Sequence, residues 1–253
     1  MAERKNLDRQ GYRMKFGVLG PSTNTIVQPD FDDLRPRGVT NHYARIHVEN
    51  AQAVSDETFM AGTQIISDQT HDAVYRALTC DPNHLVMGMS AVTFFGGAEG
   101  GRKWRQQVEE VSGLCVTTGS EAVAAALQAY GGIRKVAVLS PYFPTANVEV
   151  GRFLSDHGFD MVRDIPLRRP SWISIAETTE AEVREAFMEL DGDDVDALIQ
   201  VGTNLDCVRF CAAAETWLGK PVIAINTATY WHALRTVGIA DQMDGFGRLM
   251  AEF

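Results

Sequence analysis

Short, β-branched apolar runs alternate with stretches of helical period along nearly the whole chain, and few folds can satisfy that pattern. Strands are expected at 15–19, 43–48, 84–89, 114–117, 135–139, 161–165, 197–201 and 221–225. Helical periodicity fills the intervals at 56–78, 103–111, 121–130, 147–157, 180–190, 208–218 and 230–237. Strands alternating with helices specify an α/β fold, a parallel sheet with helices on its faces. The runs KVAVLS and ALIQVG are apolar throughout, as strands buried on both faces must be.

The second half of the chain repeats the first by role. Gly20-Pro21-Ser22-Thr23-Asn24-Thr25 follows one strand, and Ser140-Pro141-Tyr142-Phe143-Pro144-Thr145-Ala146-Asn147 follows another. Met87-Gly88-Met89-Ser90 ends a third, and Val201-Gly202-Thr203-Asn204 ends a fourth. Two pseudo-equivalent lobes follow: residues 15–118 and 119–226, preceded by a flexible extension over 1–14 and closed by a helix and tail over 227–253 that returns to the first lobe. Ligands of open α/β sheets bind beyond the carboxyl ends of the strands. All four segments sit at such ends, so they converge on one cleft between the lobes.

Composition narrows the ligand. At 253 residues with a net charge of −10, the chain lacks the basic footprint that nucleic acid or an anionic membrane requires. Its apolar runs are too short to span a bilayer, and the charged start MAERKNLDRQGYRM is no secretory signal. Four cysteines without a close pair read as reduced thiols of a cytoplasmic protein, with no metal site expected. The expected partner is a small molecule; whether copies of the chain assemble is left open.

Pro, Gly, Ser, Thr and Asn dominate the four segments. Hydroxyls, amides and backbone N–H groups at helix starts form a neutral cradle for a carboxylate. Each such residue can equally be a helix cap; Ser120 in Thr117-Thr118-Gly119-Ser120 is open between the two. Phe94-Phe95-Gly96-Gly97-Ala98-Glu99-Gly100-Gly101 reads as a flexible loop able to cover a pocket, and it lacks any phosphate-loop pattern. His232, in the first turn of a helix after a strand end, is either a structural histidine or a proton carrier. Cys115, Cys211 and Cys80 read as structural.

Taken together, these motifs carry a resemblance. GVLGPSTNT, HLVMGMSAVTFFGG, VTTGSEAVAAAL, VAVLSPYFPTANVEVGRFL, ALIQVGTNLDCV, PVIAINTATYWHALR and GFGRLM follow in the order of the arylmalonate decarboxylase and maleate isomerase branch of the aspartate/glutamate racemase superfamily. The resemblance runs from about residue 15 to the end. It implies two pseudosymmetric Rossmann-like lobes, no cofactor and no metal. It also implies a substrate carboxylate held by Asn24, Gly88, Met89, Ser90, Tyr142, Asn147, Gly202, Thr203 and Asn204. Racemases and maleate isomerases of this kind set one cysteine from each lobe on opposite faces of the substrate; the decarboxylase keeps only the second.

Here Gly88 and Gly202 stand at both cysteine positions. The thiolate is the nucleophile or proton carrier of such chemistry, so the usual route is closed. Cys207 lies in the first turn of the helix after Gly202, where the dipole would lower its pKa; it is either a replacement thiol or core packing. Two functions remain. One is a cofactor-free lyase or isomerase on a small mono- or dicarboxylic acid, with Tyr142, His232 or Cys207 moving the proton. The other is an altered homologue that binds a carboxylated metabolite without turnover.

Overall fold

A computed structural model describes residues 7–50 and 54–253. Its strands are β1 (Met14–Pro21), β2 (Val39–Ile46), β3 (His84–Met87), β4 (Val116–Thr117), β5 (Lys135–Ser140), β6 (Asp160–Pro166), β7 (Ala197–Gln200) and β8 (Val222–Ala224). Its helices are α1 (Val27–Asp33), α2 (Asp56–Asp68), α3 (Thr70–Leu78), α4 (Ala91–Phe94), α5 (Gly97–Ser112), α6 (Gly119–Tyr130), α7 (Pro144–Asp156), α8 (Glu180–Leu190), α9 (Val208–Leu218), α10 (Ile225–Thr236) and α11 (Arg248–Glu252). None is long and apolar enough to cross a membrane among the described residues.

The strands form two four-stranded sheets, ordered β2-β1-β3-β4 and β6-β5-β7-β8, with every pairing parallel. The second order is the first with each strand replaced by its counterpart from the other half of the chain. The repeat seen in the loops is thus a repeat of topology. In each sheet the chain reverses its direction of strand addition between the two central strands, β1 with β3 and β5 with β7. That switch point is where the loops splay apart and leave a crevice.

Local chemistry accounts for where the elements stop. All eight residues of β1 are buried, because β2 and β3 flank it and helices cover both faces. Strand β2 starts earlier than expected, taking in Thr40, Asn41 and His42. It is an edge strand and half-buried, so polar residues cost it little. The single helix expected over 56–78 is two: the Thr70 hydroxyl donates back to the Ile66 carbonyl, and the turn at Gln69 loosens. Helix α8 begins at a reciprocal capping box, Thr179 Oγ1 accepting from the Glu182 N–H and the Glu182 carboxylate accepting from the Thr179 N–H.

The glycine-rich stretch after Phe94, expected to be a flexible cover, is not a loop. Gly97 already opens α5, and Gly101 is buried against the backbone of Thr93. Of the expected extension over 1–14, residues 1–6 lie outside the described residues. Asp8 accepts from the N–H groups of Gln10 and Gly11, and Arg13 forms an ion pair with Asp241.

The core is continuous across both sheets. Helix α10 follows β8 of the second sheet but lies against the first: the Tyr230 ring sits 5.8 Å from Phe16 and 5.1 Å from Phe31. The Tyr230 hydroxyl donates to Asn41 Oδ1 at 2.9 Å.

Candidate functional site

The segments after β1, β3, β5 and β7 meet at a narrow cleft with about 40 Å³ of space for water-sized groups. Thr23, Asn24, Ser90, Tyr142, Thr203 and Asn204 form its polar wall, and Ile66, Met89, Ala91, Trp172 and Ile175 its apolar wall.

The turn after β1 is shaped from behind by Arg45 of β2. Its guanidinium donates to the Asn24 carbonyl at 2.7 Å and to the Pro21 carbonyl at 3.4 Å, and it also reaches Gln28 Oε1 at 2.7 Å. A cation therefore backs a loop that lines the cleft, although the chain as a whole is acidic. Asn24 has two roles on two atoms. Its Oδ1 accepts from the N–H groups of Ile26 and Val27 at 3.0 and 2.9 Å, capping α1. Its Nδ2 crosses to the other lobe and donates to Thr203 Oγ1 at 3.0 Å, and that hydroxyl donates onward to the Gly88 carbonyl at 3.0 Å.

Asn204 is more fully engaged. Its Oδ1 accepts from the N–H groups of Thr25 and Ile26, and its Nδ2 donates to the Trp172 carbonyl at 2.9 Å. It joins three loops and has little left for a ligand. Asn147 is buried but does not line the cleft: Ser140 Oγ donates to its Oδ1 at 2.5 Å, and its Nδ2 donates to Asp164 at 2.6 Å. It orients Ser140, whose Oγ accepts from the Tyr142 N–H at 3.2 Å.

Two kinds of group remain for a ligand. The first is the hydroxyl pair Ser90 Oγ and Tyr142 Oη, one from each lobe, 2.7 Å apart and buried. Burial raises the phenol pKa, and the Ser90 bond opposes that shift without cancelling it, so Tyr142 is neutral. The second is the backbone. Among the described residues no acceptor pairs with the N–H groups of Met89 and Ser90, or with those of Gly202, Thr203 and Asn204. Successive free N–H groups at a strand-to-helix turn can form an anion-binding concavity, and residues of both turns line the cleft.

No thiol lines this cleft. Cys207, a candidate replacement, is buried, and burial together with its neighbour Cys211 pushes its thiol pKa well up. The helix start that was expected to lower it is outweighed by desolvation. Cys115, expected in the core, is exposed just before β4. His232 is also elsewhere. It shares a separate hollow with His84, the first residue of β3, at the opposite end of the sheet, and burial lowers its pKa. Neither residue joins Tyr142.

Other residues at the cleft carried no sequence signal. Trp172, Ile175 and Ile66 are placed there only by the fold. Behind the Thr203 turn, Asn226 Nδ2 donates to the Thr203 carbonyl at 3.0 Å and to Asp30 Oδ2 at 2.7 Å. Desolvation pushes the Asp30 carboxyl up to about 7 against that bond.

The chain is similar to known proteins along most of its length. The family model for arylmalonate decarboxylase matches residues 36–250. Arylmalonate decarboxylase of Bordetella bronchiseptica is 26% identical over 227 residues, covering 82% of this chain and 92% of the relative. Among solved structures, a cysteine-to-serine mutant of Nocardia farcinica maleate cis-trans isomerase, with a covalently bound succinylcysteine intermediate, superposes with a TM-score of 0.85 at 22% identity, covering 95% of this chain and 99% of its own. A glycine-to-cysteine, cysteine-to-serine mutant of arylmalonate decarboxylase in the liganded form gives 0.77 at 20% identity, covering 95% and 100%.

Proposed function

The chain belongs to the arylmalonate decarboxylase family, and from that premise we propose that its cleft is the active site of a cofactor-independent enzyme acting on a small carboxylic or dicarboxylic acid. The reaction is a decarboxylase-type lyase or an isomerase step that passes through an enolate. The observation that carries this reading is the buried Ser90–Tyr142 hydroxyl pair between two sets of free backbone N–H groups.

The chemistry follows from the donors. A substrate carboxylate lies against the N–H groups of one turn, with Asn24 Nδ2 alongside. In the lyase form the bond from the α-carbon to a second carboxylate breaks, carbon dioxide leaves, and the electron pair spreads into the retained carboxylate as an enediolate. Preorganised N–H groups stabilise the charge that develops there. The enediolate carbon is strongly basic, so a neutral phenol is acid enough to protonate it. Tyr142 gives that proton, while Ser90 donates to the phenolate oxygen until the phenol is restored from solvent. Thiol addition, which a succinylcysteine adduct requires, has no partner among the residues that line this cleft.

Incubation with malonates, maleate, hydroxy acids and amino acids in D2O, followed by NMR, tests the reading. Deuterium at the α-carbon or loss of a carboxylate is expected for one acid class. Y142F is expected to lower the rate by about 10²- to 10⁴-fold, the usual contribution of a positioned acid. A thiol-blocking reagent is expected to leave turnover intact. A second reading, a protein that binds a carboxylated metabolite without turning it over, is favoured by the lack of any side chain in the cleft wall that titrates near neutrality. Ligand-dependent thermal stabilisation with no exchange by any acid would establish it instead.

A further inference from the structure

A buried indole N–H usually has an acceptor, and the chain allows the comparison internally. Trp104 Nε1 donates to Ser67 Oγ at 3.2 Å, and Trp231 Nε1 donates to the Phe253 carbonyl at 3.1 Å. Trp217 is exposed. Trp172 is 7% exposed and lines the cleft, yet its Nε1 is buried with no acceptor among the described residues.

The ring is held from both lobes. Its own carbonyl accepts from Asn204 Nδ2, which ties the loop to the turn after β7. On the other side it lies against α2, 5.1 Å from the Phe59 ring. A Cβ on Gly62 would come within 2.7 Å of Trp172 Cζ2, so only glycine lets the indole sit so close to the helix. A donor fixed this firmly loses little freedom on binding an acceptor, and it stays unpaired when none arrives.

We propose that Trp172 Nε1 is a specificity-determining donor for a neutral oxygen, a keto or hydroxyl group, carried by the bound acid away from its carboxylate. The inference rests on the reading of the cleft as a carboxylic-acid site and names the class of acid. A hydrocarbon substituent would leave the N–H unpaired, and sites built around a hydrogen bond reject such analogues strongly. A further carboxylate would need more than one neutral donor to compensate its buried charge.

Paired acids that differ only by a carbonyl oxygen against a methyl group test this: 2-oxobutanoate with 2-methylbutanoate, and 4-oxopentanoate with 4-methylpentanoate. Protein labelled with ¹⁵N-tryptophan carries four indole groups. The Trp172 cross-peak is assigned by its loss in W172F, or by elimination with W104F, W217F and W231F if W172F does not fold. One oxo acid is expected to move the Trp172 indole proton downfield and to bind at least about tenfold more tightly than its methyl partner. In W172F that preference is expected to fall to near unity. An indole proton unmoved by every oxo acid that binds, or a preference kept in W172F, overturns the inference and leaves the carboxylate site standing. Binding of none of the acids overturns the carboxylate reading, and this inference with it.

Discussion

The turns after β3 and β7 occupy equivalent places in the two sheets, and each carries a glycine. Gly202 lines the cleft, whereas Gly88, expected at the substrate, is not among the lining residues and offers its carbonyl to Thr203 Oγ1. Their surroundings differ. Gly88 has an ordinary backbone, and a Cβ there would lie 3.1 Å from the Leu19 carbonyl oxygen and 3.2 Å from a Val27 methyl. Gly202 has φ +101°, and a Cβ there would come within 2.4 Å of the Pro141 ring. L-residues rarely take that conformation, and a proline ring cannot rotate out of the way. At the first, a side chain requires the Leu19 carbonyl and a Val27 methyl to give by a few tenths of an ångström. At the second, none fits. Two glycines that look alike in sequence therefore have different causes, one a matter of tight space and the other of backbone.

The sharpest way to break this contrast is G202C, expected to lose about 3 kcal/mol or more, since strain and overpacking act together; urea unfolding reads it directly. Next comes T203V, which removes the hydroxyl linking Asn24 to the Gly88 carbonyl. It is expected to cost about 2 kcal/mol by leaving buried groups unpaired, whereas a change at an exposed threonine would not.

Asp30 gives the second lobe's turn a pH signature. Its folded pKa, about 7, lies above its ordinary 3.8, so the folded state holds the proton more tightly. Its contribution to stability is full below 3.8 and is lost as the pH rises to about 7. D30N is expected to flatten that slope, by roughly 1–2 kcal/mol after allowance for partial exposure, in unfolding measured at pH 4 and pH 7.5. The smallest effect is expected of G88A, about 1 kcal/mol or less. If its loss equals that of G202A in the same unfolding experiment, the asymmetry argued above is wrong.

Much of the frame was legible because it rests on periodicity. The helices expected at 180–190 and 208–218 coincide with α8 and α9, and the continuous apolar runs became central strands. The misreadings share a cause. Three glycines in residues 97–101 weigh against a helix, yet they lie in α5, where Gly101 packs closely on Thr93 and Phe153. At the site, Asn24, Ser90, Tyr142 and Thr203 were nameable because turn chemistry after a strand is local. Cys207 misled because a helix start is visible in sequence but the direction of its side chains is not, and His232 because α10 begins at Ile225, which puts this histidine two turns in and not in the first turn.

From the sequence alone came the α/β class, the internal repeat and the convergence of four strand ends on one cleft, because each depends on patterns spanning a few residues. Tertiary structure decided the rest. It put Trp172 against Gly62, left one indole without an acceptor, joined Ser90 to Tyr142 across the lobes and buried Cys207. Such facts depend on distances between residues far apart in the chain, and on desolvation, which no local pattern encodes.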